Sequence, residues 1–163
     1  MLRFMPGLLA LAALAIPFPA QAIDPGVASG SIVVGAERLP LTHAYAHLRG
    51  PEIRIAVVDR EVPQESIAGT SPLAIETLAL DNKVRGLLLR FDPEGRGDIV
   101  LRVLDPRTGS PETLGPHSIG RSANVLTNFR LGQNRVLGDL EGTVAAQLRI
   151  VRVRFSAPLF HER

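Results

Sequence analysis

The chain has no cysteine. That excludes disulfides, thiolate metal sites and a lipid attached through an N-terminal cysteine, so a folded domain must be held by its core. It has no tryptophan and a single tyrosine, Tyr45. Aromatic side chains are too few to stack on bases, and the basic residues are dispersed, so no nucleic-acid partner is expected. Lysine is almost missing too: Lys83 is the sole one among 18 basic residues. The sequence pI of 9.9 reflects this preference for arginine, whose charge persists to very high pH, because the formal net charge is only +2.

No long apolar run lies beyond the first 22 residues, so no stable membrane span is expected there. Those 22 residues have the grammar of a cleaved export signal. Arg3 supplies the positive start, Leu8 to Ile16 form a short apolar run, Pro17 and Pro19 break it, and Ala20-Gln21-Ala22 is a small-x-small cleavage site. The run is shorter than the ~20 residues that span a bilayer. Export is therefore expected, to the periplasm or the medium. Cleavage leaves 141 of 163 residues and takes the 18 basic residues to 17, against 16 acidic. That length suits a single domain, 23–163.

Period-two alternation dominates the rest of the chain. Residues 31–34, a turn at 35–38 and a segment from Leu39 read as a hairpin. Ile53, Ile55 and Val57 share one phase of another strand. Ser71-Pro72 suits a helix start, and Leu73, Ile75, Leu78, Ala79 and Leu80 give the apolar stripe of one short helix over 71–82. Residues 84–91 and 98–105 form a second hairpin around a Gly/Pro/Asp turn, with Leu87, Leu89 and Phe91 on one face of the first strand and Ile99, Leu101 and Val103 on one face of the second. Residues 107–120 read as an irregular loop. Val125, Thr127, Phe129 and Leu131 alternate with Leu126, Asn128 and Arg130 in a further strand. In the last segment the apolar phase jumps from Val144, Ala146, Leu148 and Ile150 to Val151, Val153 and Phe155, which requires a break near Ile150. The expected architecture is mainly β: an antiparallel sandwich or partly closed barrel of about eight strands with one short helix.

Chemistry-bearing residues concentrate in Leu41-Thr42-His43-Ala44-Tyr45-Ala46-His47-Leu48, which holds two of the four histidines. In a helix, His43 and His47 would lie one turn apart and could share an ion, although the glutamate of a zinc-protease motif is missing between them. In a strand they point the same way but sit ~13 Å apart, too far for one ion. Pro40 and the preceding hairpin favour the strand, so no metal and no cofactor are expected. His117-Ser118 lacks the spacing of a nucleophile elbow. Asp92, Glu94 and Asp98 do not match a calcium loop and read as a solvated hairpin tip; Arg96-Gly97-Asp98 belongs to the same turn. Arg152 and Arg154 form a basic row that either holds an anion or pairs with Asp139 or Glu141 on a neighbouring strand.

Gly30-Ser31-Ile32-Val33-Val34, Leu39-Pro40-Leu41-Thr42-His43-Ala44-Tyr45-Ala46, Ile55-Ala56-Val57-Val58-Asp59 and Phe155-Ser156-Ala157-Pro158-Leu159 together resemble exported bacterial β-rich proteins of uncharacterised function. The resemblance implies an exported β-dominated domain and carries over no activity and no catalytic residue.

These readings converge on an exported non-enzymatic domain that binds a ligand or another cell-envelope component, with His43, Tyr45, His47, Arg152 and Arg154 as candidate ligand-binding residues and no catalytic set. The partner is an envelope protein or a small apolar ligand, for which Leu88, Leu126 and Phe129 could line a concave face. The alternative is a hydrolase or metal-dependent enzyme using His43, His47 or His117. In an exporting host the mature chain should begin at Ile23, which intact-mass measurement checks. A charged residue in place of Ala22 should leave the leader attached.

Overall fold

Alternating leucine and β-branched residues build nine strands and one helix in the computed structural model, which describes residues 26–63, 73–81, 83–94, 98–104, 117–119 and 125–161. In chain order the elements are β1 (Val27–Val34), β2 (Glu37–Arg49), β3 (Glu52–Val58), α1 (Leu73–Leu80), β4 (Gly86–Phe91), β5 (Ile99–Leu104), β6 (His117–Ile119), β7 (Leu126–Leu131), β8 (Arg135–Ala145) and β9 (Leu148–His161). They form one sheet in the order β6-β5-β4-β3-β2-β1-β9-β8-β7. The expected β4–β5 hairpin is present, with Leu87 opposite Val103 and Leu89 opposite Leu101. The expected helix is α1; Ser71, Pro72 and Asn82, assigned to its ends, lie outside the described residues. Of the loop expected over 107–120, residues 117–119 form β6, which pairs with the edge of β5 and so satisfies backbone groups there, and the remainder lies outside the described residues.

The sheet is not closed, but it is strongly curled. Five strands separate β4 from β7 in the sheet order, so in a flat sheet they would lie about 29 Å apart. Instead the rings of Phe91 on β4 and Phe129 on β7 meet edge to face at 5.2 Å. Curling turns one face of the sheet into an enclosed core containing Ile32, Leu41, Ile55, Leu87, Leu89, Leu101, Leu140 and Phe155. Burying each of these side chains contributes about 1.5–3 kcal/mol. Part of the opposite face of β2 to β5 is covered by α1, whose Ile75 and Ala79 are buried with Tyr45, Ala56, Val58, Leu88 and Leu104. Leu88 therefore lies on the outer side, not beside Leu126 and Phe129 as expected, because it alternates with Leu87 and Leu89.

Bulges keep apolar residues pointing inward along bent strands. On β9 the inward set is Leu148 and Ile150, then Val153, Phe155, Ala157 and Leu159. The extra residue falls at 151–153: Ser29 and Ser31 oppose Arg154 and Val151, and Leu140 and Gly142 oppose Val153 and Ile150. Arg152 takes up the irregularity with a left-handed φ of 34°. The expected break near Ile150 is thus a bulge within one sheet. β7 has a second one at Asn128, φ 52°, between Thr127 and Arg130. It puts both Leu126 and Phe129 against the core, which strict alternation had placed on opposite faces. On β2 the inward phase also shifts, from Leu39 and Leu41 to Ala44 and Ala46, opposite a register shift between Val27 and Gly30.

Two glycines allow the curl. A Cβ on Gly30 would lie 2.4 Å from the Arg152 carbonyl oxygen, so β1 approaches the β9 bulge as only glycine permits. Gly138 stands opposite Phe155, and a Cβ there would lie 2.7 Å from the ring's Cζ. Gly138→Ala should destabilise the protein by about 1–3 kcal/mol through overpacking. Adding Phe155→Leu should recover part of that loss relative to Phe155→Leu alone, a coupling that chemical denaturation of the four-member cycle measures.

Candidate functional site

Residues 41–48 are extended, as Pro40 and the hairpin suggested. They lie in β2 and pair with β3 in the register His43 to Val58, Tyr45 to Ala56 and His47 to Arg54. His43, Tyr45 and His47 therefore share the outer face, spaced along it and not converging. The two imidazoles are about 13 Å apart by strand rise, so the structure does not bring them onto one ion. Among the described residues no group of three His, Asp or Glu side chains is placed to hold a metal.

Each of the three has its own neighbours. His43 Nδ1 lies 2.9 Å from Thr42 Oγ1. Thr42 donates its single proton to the Asp59 carbonyl oxygen at 2.8 Å, so the His43 ring is the donor through Nδ1. Tyr45 is buried under α1, and its hydroxyl oxygen accepts the Val62 N–H at 2.9 Å. That bond fixes the chain where it leaves β3 for the helix. Burial of the phenol raises its pKa; the Val62 bond opposes the shift and the negative charge of Glu61 adds to it. His47 is only 4% exposed and stacks on Phe160 at 5.3 Å. Phe160 reaches it because β1 stops at Val27 and β9 then pairs directly with β2, in parallel, placing Phe160 opposite His47.

The other candidates lie elsewhere. Arg154 Nε donates to Asp139 Oδ1 at 3.0 Å, and Asn128 Nδ2 donates to Asp139 Oδ2 at 2.7 Å, so one β8 carboxylate ties β7 to β9. Arg152 reaches Glu141 at 3.5 Å, but with 80% of its side chain exposed this pair contributes little. Both arginines thus meet the carboxylates the sequence offered them. His161 Nε2 contacts the Gln133 carbonyl oxygen at 3.3 Å. His117 is placed by its backbone alone, opposite Leu101 on β5.

A row that the sequence did not reveal crosses the outer face beside His47. Phe160, His47, Arg54 and Arg90 stand opposite one another on β9, β2, β3 and β4. Like charges directly across a strand pair repel. Here Glu52 lies between them: its Oε1 accepts from Arg54 Nε at 2.6 Å and its Oε2 is 3.3 Å from Arg90 Nε. The only sequence signal was one arginine in the outward phase of each of two largely apolar strands, with Glu52 two residues before Arg54 on the first. Their alignment depends on the β3–β4 register, which no local pattern encodes.

Because Tyr45 is the only tyrosine, its titration can be read directly by ultraviolet difference absorbance. The midpoint should lie above the ordinary value of about 10. The neutral phenol is favoured in the folded state, so its contribution is fully present below pH ~10 and is lost as pH rises from there through the folded-state midpoint. Tyr45→Phe should remove that alkaline dependence. It should also destabilise by about 1–3 kcal/mol at neutral pH, by leaving the Val62 N–H without its acceptor.

Comparison with known proteins adds no relative to this geometry: the chain matches no family model, no curated protein and no solved structure.

Proposed function

We propose that this chain is an exported, non-catalytic domain that binds another component of the cell envelope through the outer face of its curled sheet. The observation that carries the reading is how the chemistry-bearing side chains are used. Proton transfer and nucleophilic attack need acid, base and nucleophile within contact distance or one water. His43 is held by Thr42, Tyr45 by Val62 and His47 by Phe160, spaced along β2, and Arg154 is held by Asp139 on the β8–β9 pair. Such side chains stiffen a surface; they do not form one reaction centre.

The packing also favours an outer contact over a small apolar ligand held inside the curl. Phe91 and Phe129 meet across the interior, and the Phe155 ring fills the space above Gly138. A ligand there would have to displace these side chains from a close-packed core. No helix among the described residues is long and apolar enough to cross a membrane.

Protein purified from an exporting host should bind isolated envelope material saturably. It should turn over no ester, peptide or phosphoester substrate. Turnover abolished by His43→Ala or His47→Ala, with no saturable envelope binding, would replace this reading with a hydrolytic one.

A further inference from the structure

Glu52 sits where a ligand would. Its carboxylate lies between two guanidinium groups, each oxygen facing the Nε of a different arginine. The two arginines come from adjacent strands and oppose each other in register, so the backbone sets their spacing. Arg54 has only 19% of its side chain exposed, whereas Arg90 is 50% exposed, so the row has a partly sheltered inner arm and an open outer one. The His47–Phe160 stack walls the inner side.

From this arrangement we infer that Arg54 and Arg90 form a phosphate-binding cradle in which Glu52 is a displaceable internal occupant. The inference rests on the envelope-binding reading and supplies the chemistry of the partner. Charge decides the ligand class. A single carboxylate offsets one of the two guanidinium charges, as Glu52 does. A phosphate monoester carries about −1.5 to −2 at neutral pH and offsets both. Its tetrahedral oxygens can engage both arginines at once, and arginine is suited to such forked contacts. As the phosphate enters, it repels Glu52, which is at the surface and free to turn toward solvent. The phosphate can be a free ion or the monoester headgroup of phosphatidic acid; the binding chemistry is the same.

Titration of the full protein with inorganic phosphate, followed by calorimetry, and sedimentation with vesicles containing phosphatidic acid, compared with vesicles of phosphatidylcholine alone, test this. Glu52→Gln removes the competing charge and should tighten phosphate binding by about tenfold, while Arg90→Gln should weaken it by at least about tenfold. Arg54→Gln should do the same if circular dichroism shows that it folds. Because Arg90 and Glu52 are more exposed, those two variants decide the matter if Arg54→Gln does not fold. Binding of inorganic phosphate should strengthen as pH rises through its second pKa of about 7, a unit or so above that of a phosphate monoester, where the dianion forms. Vesicle binding without response to inorganic phosphate would assign the phosphate to lipid; response to both would assign it to the anion itself. Absence of affinity for both inorganic phosphate and the phosphatidic acid vesicles, or affinity unchanged in Glu52→Gln and Arg90→Gln, overturns the cradle. If envelope material still binds saturably in that case, the broader reading stands; if it does not, both fall.

Discussion

A β-strand shows alternate residues to opposite faces, and a sheet can be rolled around its own apolar side only if that alternation is reset where the strands bend. This constraint governs the molecule. β9, the longest strand, touches β1, β2 and β8. Without the irregularity at Arg152, either Leu148 and Ile150 or Val153 and Phe155 would face water. The reset uses a left-handed backbone at a non-glycine residue, a conformation that costs L-residues roughly 1–2 kcal/mol. Several buried side chains at about 1.5–3 kcal/mol each outweigh it. The same trade recurs at Asn128, where one turned residue keeps both Leu126 and Phe129 in the core.

The curl then determines the use of the outer face. Bending brings the ends of the sheet together around the core and leaves a convex surface on β2 to β5. Part of it is apolar and is covered by α1, with Tyr45 pinning the connection through Val62. The remainder carries charge. There the direct pairing of β9 with β2 beyond the start of β1 sets Phe160 on His47 and aligns them with Arg54 and Arg90. The resulting surface is apolar and fixed on one side, cationic and open on the other.

The arginine-for-lysine bias fits this surface. Arg54, Arg85, Arg90 and Arg154 all meet carboxylates in the structure. A planar, weakly hydrated guanidinium can lie against a sheet and still donate from its edge, whereas an ammonium prefers full hydration. In a chain without disulfides, ties such as Asn128–Asp139–Arg154 link neighbouring strands and hold the exposed β7 edge to β8 and β9.

Local pattern alone carried the β class, the β4–β5 hairpin, the position of the helix, the extended state of 41–48 and the irregularity after Ile150. All of these rest on interactions between residues close in sequence: alternation, turn chemistry and the fixed rise of a strand. It could not show that α1 covers Leu88, that Asn128 breaks the phase of β7, that 117–119 joins an edge, or that Arg54 opposes Arg90. Those features arise from contacts between segments far apart in the chain. Strand register and sheet curvature decide them, because they are settled only when all strands compete for one core.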